Sequence, residues 1–92
     1  MRIINKTEFE IIKKLVKRVF TECGVTPQGL VVINDFDLRR VHMDINGVDY
    51  DIRTWNIYET KTKKSIVIEW SLFYYDGEGA IRLGGGINRF KA

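Results

Sequence analysis

The chain has 92 residues, of which 45% are hydrophobic and 29% charged, and its formal net charge is +3. This length accommodates one hydrophobic core, so we expect residues 1–92 to form a single small domain and exclude a dinucleotide-binding or barrel enzyme fold. The apolar content is too high for a disordered chain, and no apolar run approaches the roughly 20 residues that span a membrane. With Cys23 as the single cysteine, an internal disulfide is excluded, and a reducing, cytoplasmic location is expected.

The first predicted element is an amphipathic helix over about residues 8–23. Thr7 and Glu10 have the spacing of a capping box, and Gly24 stands where a left-handed C-cap is expected. Apolar side chains fill one half of the helix and polar side chains the other. The apolar half consists of Phe9, Ile11, Ile12, Leu15, Val16, Val19, Phe20 and Cys23.

Five strands are predicted after the helix, over about residues 30–34, 38–45, 48–57, 65–75 and 79–84. Asn46-Gly47 predicts a hairpin with a type I′ turn, whose register runs from Ile45 opposite Val48 to Arg40 opposite Arg53. Asp76-Gly77 predicts a second two-residue turn, and Gly84-Gly85-Gly86 is predicted to end the last strand as a bulge or a flexible end. The expected fold class is α+β, with one N-terminal amphipathic helix packed on a four- to five-stranded antiparallel β-sheet in two layers.

A possible metal site lies on the polar face of the first hairpin, at His42, Asp44, Asp49 and Asp51. Directly opposed carboxylates repel each other, and a divalent cation would relieve that repulsion. Water, salt, Arg40 and Arg53 can also neutralise it. A metal-dependent nuclease or hydrolase with Asp51 and Glu69 as its acids is disfavoured, because Ser71 stands where that chemistry needs a lysine. We therefore predict a non-enzymatic protein without a cofactor.

The helix offers one candidate binding surface, formed by Lys13, Lys14, Lys17 and Arg18. Such a basic stripe could follow the phosphate backbone of a nucleic acid. A solvated helix face in which Glu10 pairs with Lys14 has the same sequence pattern.

The second candidate is the sheet face that a single helix leaves uncovered. Val67, Phe73 and Tyr75 have the parity of that face in the fourth strand, and Trp55 and Ile57 share it unless a bulge turns them inward. Folding of Phe90 over this face, or self-association, could also cover it. Exposed aromatic and arginine side chains on a rigid sheet are typical of protein interfaces. The predicted protein-binding residues are Trp55, Val67, Phe73, Tyr75 and Arg53.

The leading hypothesis is a small non-catalytic protein that binds another protein, either a host enzyme or a second copy of itself, and does not bind membranes. The alternative is a nucleic-acid-binding domain that uses the basic helix face. In size and composition alone the chain resembles accessory proteins of phages and mobile elements, anti-CRISPR proteins among them. That resemblance implies an inhibitor of a host defence or nucleic-acid-handling enzyme and transfers no individual residue.

Overall fold

The computed structural model describes residues 6–28, 31–36, 39–62 and 64–91. The elements are α1 (Lys6–Cys23), β1 (Val32–Phe36), β2 (Arg40–Ile45), β3 (Val48–Glu59), β4 (Ser65–Tyr75) and β5 (Ala80–Lys91). The strands form one antiparallel sheet in the order β1-β2-β3-β4-β5, so each strand pairs with the next in the chain. The predicted two-layer α+β fold is confirmed. Leu30 and Leu38, the predicted first residues of two strands, lie outside the described residues.

The C-terminal end of α1 agrees with the prediction, but the N-terminal end does not. The helix begins at Lys6, so Thr7 lies within the first turn rather than at the cap. Glu10 pairs with Lys13 at 3.1 Å, one turn further along, instead of reaching back to a cap. At the other end Gly24 adopts a φ of 69°, which is the left-handed C-cap that the sequence predicts. In the described part of the chain, no helix is long and apolar enough to cross a lipid bilayer.

The core lies between α1 and one face of the sheet. The helix contributes Ile11, Ile12, Leu15, Val16, Val19 and Phe20, and the sheet contributes Val41, Met43, Ile45, Ile52, Ile68, Trp70, Leu72 and Phe90. Burial of one such large side chain contributes about 1.5–3 kcal/mol, so this layer is the main source of stability. Phe9 departs from the predicted apolar half, because its ring is 40% exposed and lies 5.1 Å from the Lys13 ammonium.

The β2–β3 hairpin has the predicted register, from Ile45 opposite Val48 to Arg40 opposite Arg53. Asn46 and Gly47 adopt φ values of 54° and 80°, as a type I′ turn requires at both central positions. The turn residues therefore fixed the register of this hairpin, and the apolar residues at alternate positions decided which of its faces packs against α1.

The β4–β5 connection differs from the prediction. Tyr75 pairs with Ala80, so residues 76–79 form the connection, and the predicted two-residue turn at Asp76-Gly77 is wrong. The Asp76 amide donates to the Gly79 carbonyl at 3.3 Å, which closes the longer loop. Leu83 is an extra residue in the ladder, because Phe73 pairs with Arg82 and the preceding residue, Leu72, pairs with Gly84.

The glycine run was predicted to end the last strand, but it lies inside β5, which continues to Lys91. A Cβ at Gly86 would lie 3.0 Å from Cζ2 of Trp70, and a Cβ at Gly84 would lie 3.0 Å from Sγ of Cys23. The absence of these side chains allows Trp70 and the end of α1 to approach β5 closely. The glycines therefore serve packing rather than chain termination.

A bulge in β3 decides where the side chains after Arg53 point. Thr54 pairs with Trp70 and Ile57 pairs with Ile68, so the ladder is irregular between them. Ile57 consequently packs against the core, whereas Trp55 stays on the opposite face.

Candidate functional site

We call the side of the sheet opposite α1 the open face. The side chains of β3, β4 and β5 that face it include Asp51, Arg53, Trp55, Tyr58, Val67, Glu69, Ser71, Phe73, Tyr75, Arg82, Ile87 and Arg89. Phe90 does not cover this face, because it pairs with Ile66 and is buried on the α1 side.

Trp55 and Val67, both predicted to bind a partner, have different environments. Trp55 is 59% exposed, and its indole Nε1 donates a hydrogen bond to Ser71 Oγ at 3.3 Å. Val67 is only 8% exposed, and its neighbours across the ladder are Tyr58 and Arg89. The prediction that Val67 is exposed is wrong, because these longer side chains border it on both sides. Tyr58, which the sequence analysis missed, is 57% exposed in the same row.

The other three predicted residues, Arg53, Phe73 and Tyr75, form one connected group. The guanidinium carbon of Arg53 lies 5.0 Å from the centroid of the Phe73 ring, a cation–π distance. Arg53 Nη2 also donates to the Tyr75 hydroxyl at 3.1 Å. The structure therefore brings these residues together and fixes the Arg53 side chain against the sheet.

Asp51 anchors this group. Its side chain is fully buried and accepts hydrogen bonds from Arg40 Nε at 3.1 Å, from Arg40 Nη2 at 2.8 Å and from the Tyr75 hydroxyl. Burial raises the pKa of Asp51, but the hydrogen bonds from Arg40 and Tyr75 outweigh burial and bring the pKa below its ordinary value. The hydrogen bond with Asp51 likewise raises the pKa of Arg40. Asp51 is therefore an ionised internal counter-ion at neutral pH.

The four hairpin residues proposed as metal ligands do not form a common site. His42 Nε2 lies 3.9 Å from Asp49 Oδ1, and Asp44 Oδ1 accepts a hydrogen bond from the Gly47 amide at 3.1 Å. The Asp51 carboxylate faces Arg40 instead. Among the residues that the structure describes, no three His, Cys, Asp or Glu side chains are grouped to hold a metal ion.

The two acids of the nuclease alternative are also apart. Asp51 pairs with Phe73, four positions along β4 from Glu69, which corresponds to about 13 Å at the usual rise of a strand. Glu69 accepts a hydrogen bond from Asn56 Nδ2 at 2.6 Å. The structure therefore does not bring these two carboxylates together.

A depression lies beside Trp55, where β3 extends beyond the last residue paired with β2. It is a cavity of about 420 Å³ lined by Arg39, Thr54, Trp55 and Ile57. The bulge turns Trp55 and Ile57 to different sides of the sheet, and both residues border this cavity at the edge of β3.

The predicted basic helix residues separate into two groups. Lys13 pairs with Glu10. The other three belong to what we call the basic groove, which is lined by Lys14, Lys17, Arg18, Thr21, Arg89, Phe90 and Lys91. Arg89 and Lys91 were not predicted as part of this surface, because the glycine run predicts that the last strand ends before them. The continued alternation of Ile87 and Arg89 with Asn88 and Phe90 is the signal that could have revealed them.

No known protein family, curated protein sequence or solved structure matches the chain. The open face and the basic groove are therefore the features of this chain that bear on its function.

Proposed function

We propose that this chain is a small non-catalytic binding protein and that its open face binds an acidic surface of another protein. The observation that carries the proposal is the largely exposed Trp55 indole, held by Ser71 beside Arg53, Phe73 and Tyr75. Tryptophan, tyrosine and arginine dominate the binding energy of protein interfaces. Side chains that are already held in place lose less conformational entropy when a partner binds.

The charges of this surface support an acidic partner. Arg53 and Arg82 lie on either side of Ser71, and Arg82 Nε donates to Ser71 Oγ at 3.3 Å. Asp51 forms ion pairs with Arg40 at 2.8 Å and with Arg53 at 3.6 Å, and Glu69 accepts a hydrogen bond from Asn56. Arg40, Arg53 and Arg82 together outnumber these two carboxylates by one charge. Complementary charge accelerates association and selects the partner. If the partner is a host enzyme, we therefore expect this chain to bind an acidic surface of that enzyme and not its positively charged nucleic-acid channel.

The cavity beside Trp55 supports a defined anchoring contact. Its volume of about 420 Å³ exceeds that of a single side chain, and two of its walls are the apolar Trp55 and Ile57. Energetically dominant contacts in protein interfaces typically fill pockets from which binding expels water. Because Arg39 and Thr54 also line this cavity, we expect a side chain of the partner with an apolar body and a polar end to insert here, with the partner's carboxylates near Arg53 and Arg82.

The test begins with capture of a partner from a nuclease-treated host lysate and continues with the purified partner. Trp55→Ala is expected to weaken the Kd by about 30-fold or more, which is the effect of losing a hot-spot residue worth about 2 kcal/mol. Arg82→Ala is expected to lower the association rate and to weaken its dependence on salt.

The matched control is Phe9→Ala, which removes a partly exposed aromatic ring from α1, on the other side of the sheet. It should leave the Kd unchanged. Wild-type affinity in a folded Trp55→Ala variant would contradict the proposal. A dimer through the open face in light scattering, in place of a hetero-partner, would contradict it as well.

A further inference from the structure

We propose that the basic groove binds the phosphodiester backbone of a nucleic acid. This inference goes beyond the proposed protein-binding function and does not depend on it, since it concerns a different set of side chains. Five cationic side chains line the groove: Lys14, Lys17, Arg18, Arg89 and Lys91.

The groove has two cationic walls. Lys14, Lys17 and Arg18 follow one another at i, i+3 and i+4 on α1, and Thr21 completes the row. From Lys14 to Thr21 the row extends about 10 Å along the helix axis. Arg89 and Lys91 at the end of the edge strand β5 border the groove on its other side, and the cavity measures about 480 Å³. The pairing of Arg89 with Val67 shows that Arg89 also borders the open face.

These charges are not balanced within the described part of the chain. Glu10 forms an ion pair with Lys13. None of the five cations of the groove forms an ion pair with a described acidic residue. Taking the five charges from the formal net charge of +3 leaves −2 for the rest of the chain. The basic character of the protein is therefore concentrated in this groove, where like charges repel until an anion enters.

The shape of the groove favours a polymer of phosphates over a single anion. Phosphates recur about every 3.4 Å along one strand, so a 10 Å row faces about three of them in succession. The planar guanidinium groups of Arg18 and Arg89 can each donate two parallel hydrogen bonds to phosphate oxygens, and the lysines contribute compact positive charges. Binding to a membrane surface would bury apolar side chains beside the cations. Phe90, the apolar residue that lines the groove, is buried against the core, and the exposed Ile87 near Arg89 is a single apolar side chain outside the groove lining.

The experiment measures the affinity of the full chain for a short labelled oligonucleotide, single-stranded or duplex, as a function of salt. If all five cations contact phosphates, the slope of log K against log salt is expected to be about −3.5 for a single strand and −4.5 for a duplex. Between about 50 and 200 mM salt the affinity should then fall about 130-fold to 500-fold. Lys17→Ala and Arg89→Ala should each reduce the steepness of the slope by about 0.7–0.9.

Lys13→Ala is the matched control, because Lys13 lies on the same helix but pairs with Glu10 outside the groove. It should leave the slope unchanged. The proposal is overturned if no oligonucleotide binds at low salt, or if Lys17→Ala and Arg89→Ala change the slope no more than Lys13→Ala does.

Two competitors identify the chemistry of the ligand. Polyglutamate at equal charge concentration and phosphatidylserine vesicles are both expected to displace the oligonucleotide poorly. Efficient displacement by polyglutamate would show that the groove binds an acidic protein. Efficient displacement by the vesicles would show that the groove binds a lipid surface. Either result would overturn the assignment to a nucleic acid.

Discussion

The carboxylate of Asp51 lies on the open face, where Arg40 and Tyr75 donate hydrogen bonds to it. The hairpin register predicted its position opposite His42. Its chemistry depends on Tyr75, which follows it by 24 positions in the chain and reaches it only through the β3–β4 pairing. The same carboxylate that the sequence suggested as a metal ligand is thereby committed to holding two side chains of the candidate interface.

Asp51→Asn is expected to reduce the free energy of unfolding at neutral pH by about 1–3 kcal/mol, because it removes a buried charge from its hydrogen-bonded partners. The Arg40 side chain is 55% exposed, so water screens part of the attraction and the loss stays below that of a fully buried pair. Urea titration at neutral pH measures this difference.

The stability of the wild type should also depend on pH through Asp51. Its folded pKa lies below the unfolded value, so its stabilising contribution is present above about pH 4 and is lost as the pH falls through the folded pKa. Asp51→Asn should remove this part of the acid dependence. Asp49→Asn, which changes a half-exposed carboxylate of the same strand, should alter the unfolding free energy by less than about 0.5 kcal/mol. If Asp51→Asn and Asp49→Asn reduce the free energy of unfolding by the same amount, Asp51 has no special role in stability.

At the scale of elements, β5 shows how packing changes the meaning of a local pattern. Three consecutive glycines have poor strand propensity, which is why the sequence predicts an end there. In the fold they pair with Leu72, Ser71 and Trp70 of β4. The strand persists because close approach to its neighbours compensates for the weak propensity of glycine.

Gly85→Ala is expected to destabilise the fold by about 1–3 kcal/mol, since overpacking forces neighbouring atoms to move. A Cβ at this position would lie 2.8 Å from the backbone carbonyl oxygen of Trp70, which cannot rotate away as a side chain can. Thermal unfolding followed by circular dichroism measures the change.

Gly79→Ala is the control in the β4–β5 connection, because a Cβ there meets no atom within 4 Å. It should be neutral or slightly stabilising, as alanine restricts the unfolded chain. A Gly85→Ala variant as stable as Gly79→Ala would show that β5 has room for side chains along its glycine run.

At the scale of the whole molecule, the two candidate surfaces lie on opposite layers. The open face belongs to the sheet, whereas three of the cations of the basic groove project from α1. The two surfaces meet along β5, where Arg82 belongs to the open face and Arg89 borders both Val67 and the groove. If both proposals hold, a protein and a nucleic acid would bind next to each other along this strand.

If the surfaces act separately, Trp55→Ala should leave the oligonucleotide affinity and its salt slope unchanged. Lys17→Ala should likewise leave the affinity for the protein partner unchanged, and the double variant should show the sum of the single effects within about 0.5 kcal/mol. Calorimetric titration of both ligands against all three variants tests this. A clear departure from additivity would indicate that one ligand spans both surfaces.

The sequence by itself determined the α+β class, the amphipathic helix, the Gly24 cap and the register of the β2–β3 hairpin, because each depends on local periodicity or on turn residues. It also placed Arg53, Phe73 and Tyr75 on the uncovered face of the sheet, but it left Trp55 open between that face and the core.

Only the tertiary structure decided the extent of β5, the inward direction of Ile57, the burial of Val67 and the joining of Arg89 and Lys91 to the helix lysines. These features depend on two bulges and on contacts between residues far apart in the chain. A single extra residue in one strand changes the face of every side chain that follows, and neither periodicity nor composition records it.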